Sequence, residues 1–289
     1  MDKIVLFGAS KFGLYAFNLL KDECNIVAFA DNDPKKWGKL LNGKKIISPL
    51  HICKDYKIII TSTYWKEILC QLTKMGISHF NIFFKRHNEY AIAKMEYKNN
   101  HLICNNLGEL RYLKNRKIKL YYLELDNLLD INCKKDIKID IINNRNVIDI
   151  LDYRDGEVYN SFIKMLQENQ VGLYAKYNGK VVGHVWGIVN NDVKIVNDLF
   201  LMIEKTAMLH FANVNENFRG ENIYPYMLKS LIDYVRDGFN IKNFYICTDY
   251  DNLSSQRGVS KIGFKEKDEI KFYYYGDDCI NIKSILAEE

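Results

Sequence analysis

The hydrophobic and polar positions of this 289-residue chain fall into two rhythms. In the first, short apolar runs alternate with amphipathic segments. Lys3 to Phe7, Asn25 to Ala30, Lys44 to Ile47, Lys57 to Thr61 and His79 to Phe84 read as strands. Phe12 to Leu20 and Tyr64 to Lys74 read as helices, the first with Phe12, Tyr15, Ala16 and Leu19 on one face. Gly8-Ala9-Ser10, Asp31-Asn32-Asp33-Pro34, Pro49 and Gly76 punctuate them. Such alternation predicts a small, doubly wound parallel sheet, an α/β domain over residues 1–86. Asn and Lys then dominate, so residues 87–116 read as a linker with one helix near Glu89–Met95.

The second rhythm, over residues 117–289, predicts a mixed sheet. Lys117 to Leu125 and Asp136 to Ile142 read as strands and Glu157 to Glu168 as a helix. Gly172 to Tyr177, Asn178-Gly179 and Lys180 to Val189 form the clearest hairpin, since Asn-Gly suits a type I′ turn. Thr206 to Val214 and Asn243 to Thr248 read as strands. Tyr224 to Val235 and Ser254 to Lys261 read as helices, and a last hairpin turns at Gly276-Asp277-Asp278. The chain shows no internal repeat, and no hexapeptide repeat of a left-handed β-helix.

Composition narrows the function classes. Charged residues are 27% and hydrophobic residues 48%, the proportions of an ordinary globular protein rather than a disordered, collagen-like or coiled-coil chain. No apolar run approaches the ~20 residues of a membrane helix, and the first residues enter a strand at once, so the expectation is a cytoplasmic protein without a membrane partner. Seven scattered cysteines with no CxxC spacing suggest neither a disulfide framework nor a metal site. The net charge of +5 is spread along the chain, too weak to indicate nucleic acid but compatible with a phosphate-bearing small ligand.

Candidate chemistry concentrates between Thr206 and Phe264. A strand runs into Arg219-Gly220-Glu221-Asn222-Ile223-Tyr224 and then a helix; a later strand leads to Asn252-Leu253-Ser254-Ser255, a helix and Gly263-Phe264. A glycine-containing turn at a helix N-terminus aims unpaired amides and the positive end of the helix dipole at one point, a site for pyrophosphate. Arg219 adds a permanent cation, and Asn222 tolerates left-handed backbone better than other non-glycine residues. Tyr224 fits only if its bulk turns away from the phosphates.

These two segments resemble the acetyl-CoA loop, Arg-Gly-x-Gly-Ile-Gly, and the Asn-x-x-Ala…Gly-Phe motif of the GCN5-related N-acetyltransferase (GNAT) superfamily. Asn222 and Tyr224 stand for two glycines and Ser255 for the alanine. The resemblance covers about residues 117–275 and implies acetyl transfer from acetyl-CoA to an amine. It implies that Val214 and its neighbours, where two family strands part, take the pantetheine arm and thioester oxygen. It also implies that Asn252 holds pantetheine or a water. The family's frequent tyrosine acid falls on Val259, leaving Tyr250 as the substitute to consider. For the base, two mid-strand histidines are candidates. His210, expected on one face with Met208, Ala212 and Val214, is preferred because its strand leads to the loop; His184, alternating with Val182 and Trp186, is the other.

The N-terminal Gly8-Ala9-Ser10-Lys11-Phe12-Gly13, with Asp31 ending the next strand, approximates the dinucleotide fingerprint, Ser10 standing for its second glycine. With Asp31-Asn32-Asp33-Pro34 and Ile47-Ser48-Pro49, this half resembles the Rossmann-like domain that heads bacterial nucleotide-amino-sugar acetyltransferases. That resemblance implies a UDP- or dTDP-linked amino sugar as substrate, for surface glycan synthesis, held at Gly8, Ala9, Ser10, Asp31 and Asn32. A homodimer is compatible with it. A sensor or scaffold that binds nucleotide or CoA without turnover is the alternative reading. A dehydrogenase is disfavoured by Ser10 and by the lack of an oxidoreductase site.

Overall fold

The computed structural model describes residues 2–77, 79–86, 89–98, 101–104, 113–202, 205–275, 278–279 and 282–285. In chain order run β1 (Lys3–Phe7), α1 (Lys11–Leu20), β2 (Asn25–Ala30), β3 (Leu40–Leu41), β4 (Lys44–Ile47), β5 (Lys57–Ile60), α2 (Trp65–Lys74), β6 (Phe80–Arg86), β7 (Glu89–Lys98) and β8 (His101–Cys104). Then come β9 (Leu113–Glu124), β10 (Lys138–Ile141), α3 (Gly156–Gln167), β11 (Val171–Tyr177), β12 (Lys180–Asn190), β13 (Lys194–Val196) and β14 (Phe200–Met202). The chain ends with β15 (Thr206–Val214), α4 (Ile223–Phe239), β16 (Asn243–Asp249), α5 (Leu253–Ser260), β17 (Lys265–Tyr275), β18 (Asp278–Cys279) and β19 (Ile282–Ile285).

Two compact units result. The first comprises residues 1–115, 193–202 and 272–289, the second residues 116–192 and 203–271. In the first, β4, β2, β1, β5 and β6 lie side by side and parallel. The order reverses at β1, the mark of a doubly wound sheet whose crevice opens at the carboxyl ends of the strands. Val5, Phe7, Ile58 and Ile60 face Trp65, Leu69 and Leu72 of α2, while Ile4, Leu6 and Phe29 face Ala16 and Phe17 of α1. Strands buried on both faces read as continuous apolar runs, which is why KIVLF and KIII show no alternation.

The helix expected near Glu89–Met95 is instead strand β7. It pairs antiparallel with β6 from Phe80↔Met95 to Arg86↔Glu89. The ladder with β6 overrides the helical preference of Ala91, Ala93, Met95 and Glu96. β8, β19, β14 and β13 continue the same sheet, so residues distant in sequence complete it. Gly276-Asp277, the expected turn of the last hairpin, lies outside the described residues, but β17 and β18 pair antiparallel around it. Residues 87–88, 99–100 and 105–112 of the expected linker also lie outside the described residues.

The second unit is built on a mixed sheet in the order β10-β11-β12-β15-β16-β9-β17. One face is covered by α4 through Met227, Leu228, Leu231 and Val235 against Leu173, Val185 and Leu209. The other is covered by α3, whose fully buried Phe162 meets Tyr174 and Trp186. Each fully buried Leu or Phe is worth roughly 1.5–3 kcal/mol of transfer free energy.

Candidate functional site

Strand β15 organises the site. It pairs parallel with β16 only from Thr206↔Asn243 to Leu209↔Ile246. Beyond that point the two strands part, and His210, Asn213 and Val214 are paired on the β12 side alone. On that side the register shifts. Trp186 faces His210 and His184 faces Asn213, so two steps on β12 meet three on β15. The extra residue makes a β-bulge, and Phe211 within it has φ +48°.

The bulge also changes which side chains share a face. Met208 and His210 are on a face with Trp186, whereas Val214 packs into the core under α4 and Ala212 against it. The expected face of His210 with Ala212 and Val214 is thereby corrected: one inserted residue reverses the alternation beyond it. A shift between β11 and β12 at Ala175 and Lys176 does the same for Val182, which joins the α4 core while His184 contacts Phe162 on the opposite face.

Past Val214, a single turn ends at Arg219, and the chain enters α4 through Gly220, φ +85°, and Asn222, φ +62°. The left-handed conformation that glycine supplies in such loops is here adopted by asparagine. α4 has no side-chain cap. Among the described residues no protein acceptor receives the amides of residues 220–224. The loop is braced from outside: Lys134 donates its amide to the Glu221 carbonyl at 3.1 Å and its ammonium to the Gly220 carbonyl at 3.2 Å.

Around this uncapped N-terminus lies a cavity of about 240 Å³. Val214, Gly220, Asn222 and Tyr224 line it together with three cations, Arg219, Arg257 and Lys261, and no carboxylate. Arg219 Nε donates to the Val214 carbonyl at 3.3 Å, and Lys261 Nζ to Asn222 Oδ1 at 2.7 Å. Positive charge, free amides and the helix dipole converge here, a setting for phosphate oxygens. Ser254 and Arg257 on α5, and Lys261 just past its end, carry no motif of their own in the sequence. Their spacing of three and four residues marks one helix face, the signal that would have found them.

The other expected residues divide. Ile223 lines the cavity, but Glu221 does not, nor do Asn252 and Ser255. Asn252 Oδ1 caps α5, accepting from the Ser255 amide at 3.0 Å. The Ser255 hydroxyl shares a 2.8 Å hydrogen bond with the Tyr224 phenol. Burial pushes the Tyr224 phenol up to about 12, the Ser255 bond opposing the shift. Tyr250 also lies outside the cavity lining, its ring 3.5 Å below the Lys117 ammonium, and buried Val259 offers no proton. His210 Nε2 is 2.8 Å from Gln170 Oε1, and burial lowers its pKa to about 4. His184 is fully buried; desolvation, then the charge of Arg154, lowers its pKa to about 3.

In the first unit, a cavity of about 480 Å³ opens at the carboxyl ends of β1, β2 and β5. Gly8, Ser10, Asp31, Asn32, Lys36 and Tyr64 line it, with other residues after β5. A Cβ on Gly8, at φ +128°, would stand 2.4 Å from the Thr61 carbonyl oxygen, so this turn requires glycine. Asp31 is already engaged: Oδ2 accepts from the Ala9 amide and Lys36 Nζ, both at 2.9 Å, and Oδ1 from the Asp33 amide at 2.9 Å. Asn32 exchanges two hydrogen bonds with Gln71. Ser10 Oγ accepts from the Gly13 amide and caps α1.

Comparison with known proteins bears on the second unit directly. Residues 141–264 match the family described as Acetyltransferase (GNAT). These residues are a GNAT acetyltransferase domain. Residues 1–83 match a family described as C2185-like, N-terminal. No curated protein matches the chain. Among solved structures, an acetyltransferase of the GNAT family from Colwellia psychrerythraea is 11% identical, with 81% of this chain and 82% of that chain covered at a TM-score of 0.45. A functionally unknown conserved protein from Staphylococcus epidermidis is 16% identical, with 77% and 80% covered at 0.41. The enzyme AAC(6')-Iy, in complex with a CoA bisubstrate analogue, is 14% identical, with 47% and 95% covered at 0.39. The assignment of the GNAT domain rests on the family match. Among the described residues no helix is long and apolar enough to cross a membrane.

Proposed function

We propose that the protein transfers the acetyl group of acetyl-CoA to an amine. The observation that carries this reading is the cation-lined cavity at the uncapped N-terminus of α4, beside the point where β15 leaves β16. The pyrophosphate would accept from the free amides of Gly220 to Tyr224 and from Arg219, with Arg257 and Lys261 closing the other side. The β15 edge freed beyond Leu209 would pair with the pantetheine arm and polarise the thioester carbonyl. The acceptor we propose is a UDP- or dTDP-linked amino sugar, its nucleoside diphosphate recognised by the cavity at Gly8, Ser10, Asp31 and Asn32. Thiol release from acetyl-CoA with UDP- and dTDP-linked amino sugars and simple primary amines tests it. Acetyl-CoA binding with turnover of a nucleotide-linked amine is the expected result.

A non-catalytic CoA-binding sensor is the second reading. Val259, buried and without a transferable proton where the family's tyrosine acid falls, favours it. Binding of acetyl-CoA without thiol release on any amine would decide for the sensor.

A further inference from the structure

The bulge on β15 leaves one polar group without a role. His184 is 1% exposed; neither of its ring nitrogens meets hydrogen-bond geometry with a partner among the described residues, and the backbone of Phe211 acts on the ring, opposing the fall in its pKa. A neutral imidazole carries one donor and one acceptor, and buried polar groups in native proteins are nearly always paired. Around the ring stand Phe162, edge-on at 4.9 Å, and Tyr153 at 6.1 Å. Phe211 stacks on it at 5.7 Å and 29°.

Phe211 is itself anomalous. It sits in the left-handed region, where the other non-glycine residues among those described are Asn, Asp and Lys. A bulky side chain there is a steric outlier, and such strain clusters at functional sites. The residue is 41% exposed although its ring stacks on a buried imidazole. It belongs to the stretch of β15 that has left β16, and Asn213, opposite His184, adjoins the cavity-lining Val214.

We propose that His184, uncovered by rotation of Phe211, takes the proton of the acceptor amine. This rests on the acetyl-transfer reading. The amine lone pair forms the C–N bond to the thioester carbonyl carbon, and the electrons of the C–S bond leave on sulfur. The nitrogen's proton passes to the unprotonated ring nitrogen of His184. The imidazolium then releases it to solvent while the thiolate takes one up, so CoA departs as the thiol. The closed ring is a weak base because it is desolvated; hydration on opening restores basicity as the amine arrives.

Two measurements on the full chain test this. Diethyl pyrocarbonate modifies accessible, unprotonated imidazoles, and peptide mass spectrometry locates the adduct. Phe211→Gly, which suits the backbone at this position, should make His184 react severalfold faster than in the wild type. Equal rates would show that Phe211 is no cover and overturn the proposal. The labelling needs no acceptor, so it decides even if no amine probe is turned over. With a UDP-linked amino sugar or a simple primary amine as probe, His184→Gln should lower kcat by about 10²-fold or more and leave acetyl-CoA affinity unchanged. A His184→Gln enzyme with wild-type kcat and pH profile overturns the role of His184 alone. Failure of the wild type to bind acetyl-CoA overturns the acetyl-transfer reading instead.

Discussion

The Tyr224 phenol and the Ser255 hydroxyl are joined by a 2.8 Å hydrogen bond that links the first turn of α4 to the first turn of α5. Both residues depart from the small residues of the acetyl-CoA motifs, and here the departures match. The phenol turns toward α5 and leaves the amides at the start of α4 open. Gly258 makes the room: a Cβ at that position would stand 2.3 Å from Tyr224 Cδ1. A large residue at one motif position is thus accommodated by a hydroxyl and a glycine on the neighbouring helix.

That arrangement predicts coupling. Gly258→Ala forces the Tyr224 ring to shift and should destabilise the protein by roughly 1–3 kcal/mol, the usual cost of overpacking. In a Tyr224→Ala background the same change should cost far less, because the clashing ring is gone. Denaturant unfolding of the four proteins of the cycle measures the interaction energy. Additive effects would show that the ring relaxes freely.

The three cations of the α4 cavity should act on the cofactor rather than on the fold. Arg257 lies on an exposed helix face and forms no ion pair among the described residues. Arg219→Ala or Arg257→Ala should each weaken acetyl-CoA binding by about 1.5–3 kcal/mol, the range for hydrogen bonds to charged groups. Calorimetry at two salt concentrations checks it. Unchanged affinity in a folded Arg219→Ala variant would remove the phosphate assignment.

How far the sequence discloses this molecule depends on how local the determinant is. Strands β1, β2 and β5 and the Asn178-Gly179 hairpin are legible because their apolar runs and turn residues are contiguous. β13, β14 and β19 are not, since they join a sheet whose first strand, Lys3–Phe7, lies far from them in sequence and their short segments carry no period of their own. The loop from Arg219 to Tyr224 is legible as a motif, but Arg257 and Lys261 look like ordinary solvated charges until α5 is folded beside it. Nothing in TAMLHFANV announces a bulge at Phe211, and without it the alternation assigns His210 and Val214 to one face.

Two histidines, the buried His184 and the half-buried His210, make stability depend on pH. Desolvation lowers the pKa of His184 to about 3 and of His210 to about 4, against 6.5 for an ordinary histidine. Between those values the unfolded chain binds more protons than the folded one, so stability rises with pH across the window and is lost as pH falls below about 6.5. At pH 5 each histidine is expected to cost on the order of 2 kcal/mol relative to pH 7.5. Denaturant midpoints from pH 4.5 to 7.5 measure the slope, and His184→Gln should flatten it. A slope unchanged in that variant would place the acid sensitivity elsewhere.

The first unit's cavity yields a prediction about ligand size and about Asp31. Its floor is the turn after β1, where Gly8 cannot carry a side chain, and its sides are the residues after β2 and β5. The Ser10 hydroxyl at the N-terminus of α1 offers a donor to a phosphate. Asp31, however, holds the Ala9 amide and the Lys36 ammonium, so its role is to fix the turn and position Lys36 as much as to meet a ribose. UDP or dTDP should therefore raise the melting temperature of the full chain, and NAD should raise it less, since Ser10 stands where a dinucleotide pyrophosphate needs glycine. Asp31→Ala should abolish the shift and lower the unliganded melting temperature as well, because the Ala9 amide loses its acceptor. Lys36→Ala should weaken the nucleotide effect while leaving the turn in place, which separates the two roles. If neither nucleotide at millimolar concentration shifts the full chain, the nucleotide-sugar acceptor falls, while acetyl transfer at the α4 cavity stands on its own geometry.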